Sequence, residues 1–187
     1  MIPIKNKKKS LEVTVDEMRN FAFNYIEKFA PSKQQLKTYL LKKYLKSKIP
    51  SIKKSNITDL IDIVTEDLKK SKFINDKFYS ESKAKSLIQR GSSINKIRNY
   101  LFNKGVGEKY IRNTIEKIHT NNEDQDFFSA IKICKKKRIG PSRDEANRPL
   151  FYKKDIGILA RSGFDVEVSR RVMGLEKDEY LKIINLL

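Results

Sequence analysis

Apolar residues recur at helical spacing along nearly the whole chain, and that periodicity restricts the fold more than any other feature. Ile57, Leu60, Ile61, Val64 and Leu68 fall at i, i+3, i+4, i+7 and i+11, one stripe along a helix. Tyr110, Ile111, Thr114, Ile115 and Ile118 form a second such stripe, and few stretches alternate with the two-residue period of a half-buried strand. Start signals agree with the stripes. Thr14 with Glu17 and Ser32 with Gln35 have the capping-box form, in which each side chain satisfies an otherwise unpaired backbone N–H. Gly105 and Gly163 each lie just past an apolar-periodic segment, where a left-handed cap residue is needed. The spacing predicts helices over 15–29, 32–46, 57–71, 76–90, 93–104, 107–120, 124–138, 149–162, 165–173 and 176–186.

The helices group in threes. Ser32-x3-Leu36-x3-Leu40-x2-Lys43-Tyr44 matches Ser93-x3-Ile97-x3-Leu101-x2-Lys104-Gly105 at an offset of 61, and Leu101-x3-Gly105-Val106 matches Leu159-x3-Gly163-Phe164 at an offset of 58. Asp76-x-Phe78 corresponds to Asp126-x-Phe128 in the same way. A three-helix unit is too small to bury both its faces, so neighbouring units are expected to pack end to end. The expected fold is therefore all-α, with three tandem three-helix repeats forming an elongated curved array, plus a short C-terminal helix. Residues 1–13, with Lys5 and Lys7 to Lys9, read as a flexible basic N-terminal arm. Repeat 1 takes 14–73 with an insertion loop at 46–56, repeat 2 takes 74–122, repeat 3 takes 123–175, and the last helix lies in 176–187. Gly140 to Pro149 reads as a joint bounded by helix breakers.

Charge supplies the second constraint. The 187 residues carry 41 Lys and Arg against 23 Asp and Glu, a net charge of +18. A Lys-rich composition can reflect an AT-biased genome, but such a bias does not segregate acids. Lys28 to Thr58 holds nine Lys and no acid, and Ser82 to Gly107 and Phe127 to Arg143 each hold six basic residues and no acid. Equivalent positions in stacked repeats lie on one side, so a continuous basic face is expected, with the acids of the third helices turned elsewhere. Nucleic acid, an acidic membrane surface and an acidic protein are the partner classes such a face fits. No apolar run approaches the length of a membrane span, and Met1-Ile-Pro-Ile-Lys5 lacks the apolar stretch of a signal peptide. The single cysteine, Cys134, fits a reducing compartment, so a cytoplasmic protein is expected, unassociated with membrane and monomeric.

Catalytic chemistry is hard to assemble from these residues. His119, the one histidine, stands at a helix C-terminus, where a cation has an ordinary electrostatic role. Cys134 reads as a small buried thiol, and one His with one Cys makes no zinc site. Asp59, Asp62, Glu66 and Asp67 have the spacing of a solvated helix face and lack the glycine turn of a calcium loop. Gly105-Val106-Gly107 has neither the strand nor the lysine pattern of a phosphate loop. No enzyme activity, cofactor or metal is expected. Tyr39, Tyr44, Tyr100 and Phe102 interleave with the basic stretches but fall mostly on the apolar stripe, so they are assigned to the core.

Phe73-Ile74-Asn75-Asp76-Lys77-Phe78, then Arg90-Gly91-Ser92-Ser93, then Ile97-x3-Leu101-x2-Lys104-Gly105-Val106 resembles the central repeat of the RecX family, regulators of the RecA recombinase. Arg138-Ile139-Gly140-Pro141 and Ala160-Arg161-Ser162-Gly163-Phe164, followed by Arg170-Arg171-Val172, is similar to the family's C-terminal repeat. Tyr25-x5-Pro31-Ser32-x3-Leu36-x3-Leu40-x2-Lys43 is similar to its first, and the resemblance covers about residues 16–175. It implies a modular helical protein that sits in the groove of a RecA filament on DNA and restrains recombination and the filament's coprotease role in DNA repair and the SOS response. The basic stretches are compatible with that, through many weak, salt-dependent contacts to phosphates or acidic side chains. The contact candidates are Lys37, Lys42 and Lys43, then Arg90, Lys96, Arg98 and Lys104, then Lys136, Lys137 and Arg138. A stand-alone DNA-binding protein is the alternative, either sequence-indifferent or of helix-turn-helix type, since Leu101 to Ile115 around Gly105-Val106-Gly107 has that form.

Overall fold

Helices α1 (Val15–Phe29), α2 (Lys33–Lys46) and α3 (Lys54–Lys70) close the first core of the computed structural model, which describes residues 11–46 and 54–187. Met18 and Ala22 of α1, Leu36, Leu40 and Tyr44 of α2, and Ile57, Ile61, Val64 and Leu68 of α3 are buried together with Ile74. Each of the buried Met, Leu, Ile and Val side chains contributes about 1.5–3 kcal/mol on full burial. The expected capping pairs are engaged, through the Thr14 side chain at α1 and reciprocally at α2. The Glu17 N–H donates to Thr14 Oγ1 at 3.3 Å. The Ser32 and Gln35 pair is reciprocal, at 3.1 and 3.2 Å. Residues 1–10 of the expected basic arm and 47–53 of the expected insertion loop lie outside the described residues. Leu11 and Val13 pack against the first core, and α3 begins at Lys54, three residues ahead of the first stripe residue, Ile57.

The remaining helices are α4 (Asp76–Gln89), α5 (Ile94–Asn103), α6 (Glu108–Asn121), α7 (Gln125–Lys137), α8 (Arg148–Arg161), α9 (Val166–Met173) and α10 (Lys177–Leu186). No strand occurs among the described residues, and the fold is all-α. The chain divides between Asp76 and Lys77 into two compact units. In the second unit, α4 to α6 bury Tyr79, Ala84, Ile97, Leu101, Val106, Ile111 and Ile115. A buried hydroxyl pair joins α4 to α6, Thr114 Oγ1 donating to Ser80 Oγ at 3.0 Å. A further core takes Ile131 and Cys134 from α7, Leu159 from α8, Val172 and Met173 from α9, and Tyr180 and Ile184 from α10. The last helix is thus integral to that core.

One device recurs at the second helix of a triplet, consistent with tandem repeats. Ser32 and Ser93, both fully buried, cap α2 and α5. The next backbone N–H in each case is taken by a carboxylate: Lys33 donates to Asp76 at 2.9 Å within the first unit, and Ile94 to Asp126 at 2.8 Å within the second. Two otherwise orphaned donors of each helix N-terminus are thereby satisfied. Burial pushes the Asp126 carboxyl above the ordinary Asp value despite the Ile94 N–H that favours its charge. Glycine is required where α8 ends. Gly163 has φ +90°, and a Cβ there would stand 2.4 Å from Ser93 Oγ, which donates to the Ser162 carbonyl at 3.0 Å.

The joint from Gly140 to Pro149 is a pinned element. It contains two 3-10 turns, Gly140–Ser142 and Glu145–Asn147, and its anchor is the fully buried Asp155 of α8. Asp155 accepts the Gly140 N–H at 2.8 Å and a two-pronged Arg143 guanidinium at 2.6 and 2.9 Å. Burial alone would raise its pKa, but the Arg143 and Gly140 hydrogen bonds and the nearby cations hold it below the ordinary Asp value. Arg148 closes the same region by donating to the carbonyls of Met173 and Leu175 at 2.9 and 2.7 Å.

Candidate polyanion interface

In the first unit the basic stretch is partly neutralised. Lys33 and Lys37 of α2 form ion pairs with Glu66 and Asp62 of α3, and the Lys33 hydrogen bond holds the Glu66 carboxyl below its usual range. The acids of this third helix were expected to face away; instead α2 and α3 lie side by side and their charged edges meet. Lys43 stands 3.6 Å from the centroid of the Phe21 ring, a cation–π arrangement, and Lys42 is exposed. Of the three candidates here, Lys37 is tied to a carboxylate and Lys43 to an aromatic face.

In the second unit two basic stretches converge. The α4–α5 turn brings Arg90 beside α5, whose first turn carries Lys96, and the last turn of α7 brings Lys136 and Lys137 to the same place. These four line a cavity of about 290 Å³ together with Leu87, Gly91, Ser92, Ile133 and Ser162. No carboxylate lines it, and among the described residues none of the four cations is in an ion pair. Gly91 makes the approach of α4 to α7 possible. It has φ +77°, and a Cβ there would sit 3.0 Å from the Ser129 carbonyl oxygen and 3.0 Å from Lys132 Cβ.

The other candidates of this unit stand apart from the cavity. Arg98 pairs with Glu108 at 3.2 Å, Lys104 lies 5.4 Å from the Tyr100 ring centroid, and Arg138 ends α7 in a left-handed conformation at φ 53°. A larger hollow of about 520 Å³ between α4 and α6 is of mixed charge, being lined by Lys85 and by the Lys117–Glu81 ion pair.

The aromatic assignments divide. Tyr44 is buried, and burial together with Glu17 raises its hydroxyl pKa. Tyr39 stacks on Tyr25 with centroids 4.1 Å apart, and Tyr100 is half-buried. Phe102 is corrected to the surface, at 68% exposed. Its neighbour Leu101 occupies the stripe with Ile97, and one residue further turns the side chain about 100° around the helix. Cys134 is fully buried, which pushes its thiol up to about 12. Among the described residues no group of acids, histidines and cysteine is placed to hold a metal ion, and no helix is long and apolar enough to cross a membrane.

Comparison with known proteins supplies the remaining observation. No protein family matches in a family scan, and no solved structure matches. Curated proteins do. A protein named Regulatory protein RecX from Myxococcus xanthus (strain DK1622) is 27% identical over 169 residues, covering 89% of this chain and 89% of its own length. Proteins of the same name from Clostridium perfringens strain 13 / Type A and strain SM101 / Type A are 28% and 26% identical over 147 residues. Each of these matches spans 78% of this chain and 66% of the relative. Over most of its length, then, this all-helical chain is similar to three proteins that share the name Regulatory protein RecX, in keeping with the ordered repeat motifs.

Proposed function

We propose that this protein is a non-enzymatic regulator that binds the RecA filament on DNA and restrains its recombinase and coprotease activities. The observation that carries the reading is the match of nearly the whole chain to proteins named Regulatory protein RecX. The charge distribution supports it, because unpaired cations are held on folded elements where a polyanionic assembly can meet them. The contact residues in this reading are Lys42 and Lys43 in the first unit and Arg90, Lys96, Lys104, Lys136, Lys137 and Arg138 in the second. Lys37 and Arg98 contribute by exchanging their present carboxylate partners for those of the filament. Purified protein at amounts stoichiometric with RecA slows strand exchange and ATP turnover in low salt. Unchanged rates under those conditions would sink the reading.

A stand-alone helix-turn-helix reader draws less support. The exposed face of α6, the helix that would enter the groove, mixes Glu108 and Glu116 with Lys109, Arg112 and Lys117, and Glu108 and Lys117 are already in ion pairs with Arg98 and Glu81, so it is not the concentrated basic face that a groove-reading helix presents.

A further inference from the structure

The four cations of the second-unit cavity converge without a carboxylate to answer them. Elsewhere Arg19, Lys33, Lys37, Arg98, Lys117 and Arg171 are each tied to an acid, and Lys43 lies over an aromatic ring. Arg90, Lys96, Lys136 and Lys137 are in no ion pair among the described residues, and the α4–α5 turn, α5 and the last turn of α7 gather them around one volume. Like charges gathered on folded elements repel one another, and a bound anion of matching charge removes that cost.

Anions differ in how much charge they put in one place. A carboxylate carries a single charge, and so does each phosphodiester of a nucleic-acid strand, whose next charge lies a nucleotide further on. A terminal phosphoryl group carries about two charges at neutral pH, and a chain of linked phosphates concentrates several in one compact group. The cavity of about 290 Å³ lies near the lower end of small-ligand pockets, with room for about ten water molecules and so for a short phosphate chain entire. Arg90 presents a planar fork to two phosphate oxygens, with the three lysines as flexible point charges around it. The Ser92 hydroxyl adds a neutral donor.

The lining also says what is not read. Its apolar members are the aliphatic Leu87 and Ile133, and no aromatic ring is among them, so a base carried by the phosphate chain has nothing to stack on. The α5 N-terminus adds no hold, because the Lys96 N–H is taken by Ser93 and the Ile94 N–H by Asp126. Recognition therefore rests on side-chain cations.

We infer that the cavity between the α4–α5 turn, α5 and the end of α7 is a binding site for a free oligophosphate, the linear phosphate chain that inorganic tripolyphosphate and a nucleoside triphosphate share. The inference does not rest on the regulatory reading, because every lining residue belongs to the second unit and binding is read without RecA. The test titrates the full chain with sodium tripolyphosphate by isothermal calorimetry, in low salt without divalent cations, and follows thermal melting with and without the ligand. The parent chain binds tripolyphosphate saturably and melts at a higher temperature in its presence. Inorganic phosphate, which carries about two charges, binds at least about tenfold more weakly. ATP binds within about threefold of tripolyphosphate, and a preference above about tenfold would make a nucleotide the source of the chain at the same site. Arg90→Gln with Lys136→Gln weakens tripolyphosphate binding about tenfold, as two exposed charge contacts do. Lys85→Gln with Lys109→Gln, which removes the same charge outside the cavity, changes it less than about threefold. Circular dichroism checks that both double variants keep the parent's helicity.

No saturable binding by the parent chain, an equal rise in melting temperature with sulfate at the same ionic strength, or equal losses in the two double variants overturns the inference. The first two of these use the parent chain alone, so they decide even where a variant fails to fold. A cavity variant that loses oligothymidylate while keeping tripolyphosphate assigns the cations to a strand and overturns it as well. The strand-exchange assay separates this site from the functional reading. A parent chain that slows RecA without binding tripolyphosphate defeats the oligophosphate site alone; a chain that binds tripolyphosphate through the cavity and leaves RecA unaffected defeats the regulatory reading alone.

Discussion

Asp155 is the residue on which the joint between α7 and α8 depends. A carboxylate with no exposed surface is tolerable only because Arg143 and the Gly140 N–H satisfy it, and removing one member of such a set typically costs about 3–5 kcal/mol. Asp155→Asn is expected to lower stability by about 3 kcal/mol in urea unfolding at pH 7. The pH dependence has a definite sign. Because the folded pKa is depressed below the ordinary 3.8, the stabilisation is fully present above that value and disappears as the pH falls through the folded pKa. The difference between parent and Asp155→Asn therefore stays constant down to about pH 4 and narrows below it; a gap that widened on acidification would refute this account. None of this was visible in the sequence, where Gly140 to Pro149 presented only helix breakers. The partners are separated by a folded-back turn, and no local spacing rule reports on such a pair. Phe102 illustrates the opposite difficulty: it was assigned to the core for being aromatic beside a stripe, and one helical step put it on the surface beside Arg98, four residues back on the same side.

At the level of elements, what could be read was what is local. The Thr14 cap and the reciprocal Ser32–Gln35 box each join a side chain to a backbone N–H three residues away, so these residues were legible, as were the apolar stripes. The role of Asp76 and Asp126 was only half legible. Their correspondence appeared in the repeat alignment, but the N–H groups they accept lie 43 and 32 residues earlier in the chain. Gly163 likewise showed as a helix stop, while its second duty, leaving room for Ser93, required the packing of α8 against α5. Gly163→Ala must relieve a left-handed φ and a 2.4 Å approach at once, so a loss of about 3 kcal/mol is expected in thermal or urea unfolding, with the Ser93–Ser162 contact broken. A loss below about 0.5 kcal/mol would show that the contact relaxes freely.

For the whole molecule, the net charge of +18 pointed only to a polyanion, and the segregation of acids gave it position along the chain. Folding altered that picture unevenly. Ion pairs with α3 quench part of the first basic stretch, whereas the second and third stretches meet in one acid-free cavity. Arg90 and Lys136 stand 46 residues apart, so their meeting is a product of helix packing that the charge map could not show.

The most direct measurement of the regulatory reading is co-sedimentation of the chain with RecA filaments, formed with and without single-stranded DNA, across a salt series. The account predicts that the chain pellets with filaments on DNA in low salt and is released steeply as salt rises, as expected for many weak charge contacts. Recovery in the pellet that is the same with and without RecA at every salt concentration would contradict it.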